Sequence, residues 1–162
     1  MKIKTSRFGE VTVADSAAIS FPEGLVGFPD ARTFVIFEGP EGTPFKWLQS
    51  VDRPELAFVI CDPLYFKGDY RVAVPNAELA ELKLGGPGDA VISVILSIPP
   101  DPWRMTANLL GPVVFNAERR IGKQLVLSGT EYSTKHPVFP QGFAPSAPSA
   151  PAAAPGAAGP GA

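Results

Sequence analysis

PFKWLQSVDRPELAFVIC, Pro44 to Cys61, holds two apolar runs, Phe45–Val51 and Leu56–Cys61, parted by Asp52, Arg53, Pro54 and Glu55. Each run is short and rich in Phe, Val, Ile or Trp, and the residues between them are turn formers. That is the pattern of two strands joined by a short connection, which makes them antiparallel neighbours. Alternate residues of a strand share a face. Phe45, Trp47 and Gln49 therefore align, while Lys46, Leu48 and Ser50 oppose them.

The same punctuation recurs in both directions. Lys2–Phe8 and Glu10–Ala14 flank a Phe-Gly-Glu turn, and Thr33–Glu38 (TFVIFE) precedes the central pair. Tyr70–Val74, Ala90–Ile98, Val113–Asn116 and Gln124–Ser128 come after it. One segment reads as a helix: in PNAELAELKLGG, Asn76 is placed as N-cap, Glu78 suits the positive end of the dipole, and Gly85 can take the left-handed C′ position. Leu79 and Leu82 would share its buried face. The predicted fold is mainly β, a compact antiparallel β-barrel-like domain with one short helix covering an opening.

Composition changes near residue 137. Lys135 is the last charged residue, and the remainder of the chain is almost wholly Pro, Ala, Gly and Ser. Such a segment has only Phe143 to bury, too little to offset the entropy of ordering it. The expected division is a domain over residues 1–139 and a disordered Pro/Ala/Gly-rich C-terminal tail over 140–162, able to adopt polyproline-like conformations.

The totals narrow the function. The 162 residues carry a formal net charge of −2 with mixed signs throughout, so the basic footprint of a nucleic-acid binder is missing. Only Arg119, Arg120 and Lys123 cluster, and ERRIGKQ reads as a solvated hairpin tip. No N-terminal h-region or membrane-length apolar run occurs, and the single cysteine, Cys61, suits a reducing compartment. A cytoplasmic protein is expected.

Little of the chain is armed for catalysis. Cys61 and His136 are each the only residue of their kind, which removes a Cys/His zinc set. Asp52, Glu55, Asp62 and Asp69 are broken up by Pro54 and Pro63 into two turns. Cys61 comes directly after the apolar run Ala57–Ile60, the setting of an inert thiol, although a Cys61–His136 pair would meet in space and not in sequence. LGGPGDA (Leu84–Ala90) leads from a helix into a strand, the reverse of a phosphate loop. No metal or cofactor is expected.

What remains is amides and aromatics at strand ends: Phe45, Trp47, Gln49 and Ser50, then Asp62-Pro63, Asn108, Asn116 and Gln124. Without a base or metal, such groups fix turns or meet a partner. Asp62, Asn116 and the loop around Phe28 read mainly as turn-fixing. Phe45 and Trp47 remain open between core and interface. A small ligand-binding or hydrolytic barrel with a pocket near Gln49, Asp62 and Asn108 is the alternative.

ISFPEGLVGFPDARTFVIF (19–37), PFKWLQSVDRPELAFVICDPLYFKGDY (44–70), NAELAEL (76–82) and TANLLGPVVFNAERRIGKQLVL (106–127) together resemble the successive signatures of the flagellar assembly factor FliW family. The likeness spans about residues 3 to 139; the long tail departs from it. The resemblance implies a non-enzymatic β-barrel protein, expected as a monomer, with two mutually exclusive partners: newly made flagellin and the translational repressor CsrA. Binding CsrA would allosterically lower its grip on flagellin messenger RNA, with no direct RNA contact by this chain and no membrane partner. On that reading Phe45 and Trp47 line a groove for a flagellin helix, Gln49 and Asn108 supply polar contacts, and Phe28, Ser50, Asp62, Pro63, Asn116 and Gln124 hold the framework.

Overall fold

A computed structural model describes residues 1–139; the predicted 140–162 tail lies outside the described residues. In chain order the elements are β1 (Lys2–Thr5), β2 (Gly9–Thr12), β3 (Ile19–Ser20), β4 (Thr33–Glu38), β5 (Lys46–Ser50), β6 (Ala57–Cys61), α1 (Asn76–Glu81), β7 (Val91–Ser97), β8 (Thr106–Ala107), β9 (Val113–Asn116), β10 (Ile121–Gln124) and β11 (His136–Pro137).

Strands run in the order β7-β6-β5-β4-β3-β10-β9, and β9 pairs back onto β7 through Val91 with Phe115, Ile92 with Val114 and Ser93 with Val113. The ring of seven strands is therefore a closed barrel, which removes the exposed edges of an open sheet. β8 and β11 extend outward from β7. Neighbouring strands in the ring are antiparallel except β3 and β10, which meet in parallel at Ser20 and Ile121.

The two-residue alternation sorts each strand into an inner and an outer set. Phe34, Leu48, Ile60, Val113 and Phe115 fill the interior with Phe21, Leu25 and Leu56. Outward-facing Cys61, Val94 and Leu96 pack with Tyr70, Met105, Ala107 and Leu109 in a second core. A third forms where Leu82, the C-cap residue of α1, covers Val114 and Leu125. The helix thus packs on the outer wall, and not across an open end as its position in the sequence suggests.

β4 and β9 match their predicted limits, and β5 to β7 lie within theirs. Other expectations are corrected. Tyr70–Val74 forms no strand: its polar groups find side chains and loops, with Tyr70 Oη donating to Leu109 O at 2.6 Å and Arg71 N to Tyr132 Oη at 2.9 Å. The last strand of the ring is Ile121–Gln124 and not Gln124–Ser128. Leu125 N and Leu127 N still donate to Pro112 O and Leu110 O, but Pro112 has no N–H and Leu110 N donates to Asn108 Oδ1, so neither bond is returned and the two-way ladder ends at Gln124. Asn76 is the first helical residue and Pro75 holds the N-cap position without a side-chain bond. At the other end Lys83, not Gly85, takes the left-handed conformation, with φ 57°.

Among the described residues no helix is long and apolar enough to cross a membrane.

Candidate docking groove

An open, mainly apolar groove of about 640 Å³ forms where three segments meet. The first is the β4–β5 turn, Gly42 to Phe45, pinned by Thr43 Oγ1 donating to Pro40 O at 2.7 Å and by Gly39 N donating to Phe45 O at 3.0 Å. A Cβ on Gly39 would collide with that same Phe45 carbonyl, so the approach requires glycine.

The second segment leaves β6 at Asp62-Pro63. Asp62 Oδ1 accepts from Leu64 N at 2.9 Å and Pro63 is buried, which starts a single 3-10 turn over Pro63–Tyr65. The turn presents Tyr65, 71 % exposed, toward solvent and turns Phe66 into the groove. The third segment is β11 and its continuation. Val138 N donates to Met105 O at 3.1 Å, and Phe139 packs on Trp103 with ring centroids 4.7 Å apart.

His136 forms part of the wall and also borders a neighbouring polar hollow of about 560 Å³ that includes Lys67, Asp69, Arg71 and Tyr132. Its imidazole stacks on Phe66. Burial, helped by the Lys67 charge and opposed by Asp69, holds its pKa below the ordinary value of 6.5. Cys61 lines the same groove, so the structure brings the lone thiol and the lone imidazole to one place. The thiol is not armed. Burial, with the Asp62 charge adding to it, pushes its pKa up to about 12, and it stays protonated at neutral pH. The groove offers a mainly apolar surface in which the thiol is not poised as a nucleophile.

The sequence-predicted residues distribute over several places. Phe45 lies in the groove. Trp47 lies one pleat further along the same face but serves another element. The tip of the β1–β2 hairpin covers it, with the Phe8 ring 5.7 Å away edge-to-face and Arg7 Cζ 4.5 Å above the indole. Gln49 is fully buried, and its Nε2 donates to Ser50 O, Pro54 O and Leu56 O at 2.9–3.2 Å. In this conformation it presents nothing to a partner. Ser50 Oγ accepts from Arg53 N at 2.9 Å in the same turn.

Asn108 and Gln124 converge on one loop. Asn108 Oδ1 accepts from Leu110 N and Gly111 N, while Gln124 Nε2 donates to Gly111 O and its Oε1 accepts from Val26 N. Asn116 performs two tasks: its Nδ2 donates to Leu82 O and Lys83 O at the end of α1, and its Oδ1 accepts from Glu118 N and Arg119 N in the hairpin. Phe28 packs edge-to-face on Phe58, centroids 5.5 Å apart. Gln49, Asp62 and Asn108 each commit their side chains to a separate turn, and do not form the pocket the alternative reading requires.

Sequence reasoning missed Tyr65, Phe66, Val138 and Phe139, and weighed His136 only as a partner for Cys61. A signal existed for two of them. The apolar Val138 and Phe139 close the domain immediately before composition changes, which is where a chain re-enters its fold for the last time.

The FliW protein family model matches residues 2–138. A flagellar assembly factor FliW from Natranaerobius thermophilus is 44% identical over 140 residues, covering 86% of this chain and 93% of the relative. One from Geobacter sulfurreducens is 40% identical over 141 residues, covering 87% of this chain and 88% of the relative. A crystal structure of the flagellar assembly factor FliW superposes with a TM-score of 0.82 at 34% identity, covering 88% of this chain and 100% of the other.

Proposed function

The chain belongs to the FliW family of flagellar assembly factors, and on that premise we propose that it is a non-enzymatic cytoplasmic regulator, monomeric when free, that binds flagellin and CsrA in alternation. As a flagellin chaperone it holds the newly made subunit. When flagellin is exported, the freed protein binds CsrA, lowers its affinity for flagellin messenger RNA and relieves repression.

The observation that carries the docking half of this reading is the open apolar groove with Tyr65 at its rim. An amphipathic helix laid into such a groove buries its apolar face through side chains spaced along one stripe. Phe45, Phe66 and Phe139 supply the floor that a helical end of flagellin needs, and Tyr65 is the kind of exposed aromatic that becomes an anchor once desolvated. The net charge of −2 favours action on an RNA-binding protein over action on RNA itself. Alternation requires that each partner weaken the other's binding, and the coupling is reciprocal.

Calorimetric titration of flagellin into the full chain and into its Tyr65→Asp variant tests the groove. Tyr65 is largely exposed, so the substitution leaves the barrel folded. A loss of about tenfold or more in affinity is expected for an anchor residue; equal affinity would place the flagellin site elsewhere.

A further inference from the structure

The apolar floor of the groove does not stop at Phe45. The register that sets Lys46 opposite Ile60 places Phe45 beside Cys61, and both line the groove. One pleat further, about 7 Å along the strand, Trp47 lies opposite Val59 on β6 and Phe37 on β4. These three side chains are half-buried and face the same side of the sheet as Phe45 and Cys61. The tip of the β1–β2 hairpin covers Phe37 and Trp47. We propose that the row Phe37, Trp47 and Val59 continues the docking groove, and that the hairpin is a strap which the docked helix displaces. This rests on the groove reading above and deepens it: the occupant is the same amphipathic helix of flagellin, and the strap extends and gates its site.

The hairpin is separable from the barrel. It forms a sheet of its own and shares no ladder with the ring, and a two-stranded sheet is marginal by itself. Its tip is held in shape from within. Phe8 N donates to Thr5 Oγ1 and Thr5 Oγ1 to Gly9 O, each at 2.8 Å, with Gly9 at φ 72°. Its grip on the row comes from side chains. The Phe8 ring meets Phe37 and Trp47 edge-to-face, centroids 5.0 and 5.7 Å apart, and Arg7 Cζ stands 4.5 Å over the indole.

These contacts are replaceable. An apolar helix side chain gives Phe37 and Trp47 the burial that Phe8 gives them, and offers Val59 the same. Lifting the tip breaks the bond from Ser6 N to Pro54 O, but both residues are exposed and Pro54 O keeps Gln49 Nε2 as a donor. While the strap is closed the long site is incomplete, so the affinity for a helix that needs it falls in proportion to the fraction of molecules uncovered. Weakening the strap should therefore raise affinity, whereas removing the floor beneath it should lower affinity.

Two variants that both loosen the hairpin separate a strap from a mere brace. In calorimetric titration of flagellin into the full chain, Phe8→Ala should bind about threefold tighter or more, because it removes the cover alone. Trp47→Ala should bind about tenfold weaker or more, because it removes floor as well as cover. Phe8 is 37 % exposed and Trp47 half-buried, so both variants should melt cooperatively above the titration temperature. In the unaltered protein, flagellin should speed hydrogen exchange at Ile3 and Val11 while Leu48 and Ile60 stay protected. Phe8→Ala that binds no tighter, Trp47→Ala that binds equally well, or hairpin amides that keep their protection in the complex would overturn the strap. With Tyr65→Asp still weakening binding, the groove itself would stand. Equal affinity in Tyr65→Asp would remove the groove and the strap with it.

Discussion

The imidazole of His136 stacks on the ring of Phe66, with centroids 6.1 Å apart and planes inclined by 27°. The contact ties the last strand to the turn after β6 and forms one wall of the groove. It also places the chain's one titratable imidazole against apolar surface.

That placement predicts a pH dependence. The pKa of His136 in the folded protein lies below its ordinary 6.5 because burial, then Lys67, disfavours the cation. The unfolded chain therefore binds the proton more readily, so stability is fully present above 6.5 and falls as pH drops through the folded value. Denaturant midpoints at pH 7.5 and 5.5 should differ less in His136→Gln than in the unaltered protein. Equal differences would assign the pH dependence to other groups.

Lys123 predicts a second, electrostatic effect. Its ammonium lies 3.2 Å from Glu23, 2.7 Å from Glu78 and 2.8 Å from Glu81, joining β10 to α1 and to the loop after β3. Hydrogen bonds to Glu78 and Glu81 raise its pKa, and Lys123 lowers that of Glu81. Lys123→Met leaves three carboxylates facing one another and should cost about 1–3 kcal/mol, least at high salt where repulsion is screened. In the unaltered protein the Glu81 contribution is present above its ordinary 4.5 and lost as pH falls below it. Thermal melts across a salt series read the effect.

The sorting of Trp47 and Gln49 can be measured on one strand. Gln49→Met keeps the volume but removes the donor to Ser50 O, while Pro54 O and Leu56 O still accept from Ser6 N and Ser50 N, so the expected cost is that of one stranded carbonyl, about 1–3 kcal/mol. Trp47 is half-buried beneath Phe8 and Arg7, so Trp47→Ala should cost less than the roughly 3–5 kcal/mol typical of a core aromatic, and should free the β1–β2 hairpin. Hydrogen exchange at Ile3 and Val11, a hydrogen-bonded pair of the hairpin, reports that release. A two-stranded hairpin is marginal alone, so unchanged protection there would mean that Trp47 does not hold it.

The share of the fold legible in the sequence varies residue by residue. TFVIFE and VVFN declare themselves because they are Val/Ile/Phe runs that must pack on both faces, the outer cores lying against the same walls. QLVLS misleads for a physical reason: it alternates like a strand, with Leu125 buried and Val126 69 % exposed, yet its partner is a proline. Two-residue strands such as Ile19–Ser20 and His136–Pro137 exist only through tertiary pairing and leave no local pattern. Phe45 could be flagged from its neighbours, whereas Tyr65 and Phe139 reach the groove from distant segments that only the closed barrel brings together. Trp47 and Phe45 share a face, but nothing in their spacing says that a hairpin covers one and leaves the other open.

Gly122 predicts a steric limit of the interior. A Cβ there would sit 2.7 Å from Phe21 Cζ and 3.1 Å from Phe115 Cδ1, both on rings of the inner core. Gly122→Ala should destabilise by about 1–3 kcal/mol through overpacking, visible as a lower denaturant midpoint with an unchanged slope. An unchanged midpoint would mean the Phe21 ring yields freely.

The partner switch is tested most directly by titrating the full chain into a preformed complex of CsrA with fluorescent flagellin-leader RNA and tracking the RNA's anisotropy, with and without flagellin. The predicted result is that RNA is released as the chain is added, and that flagellin added first suppresses the release. RNA that stays bound at micromolar chain, or release that flagellin leaves unaltered, would contradict the switch.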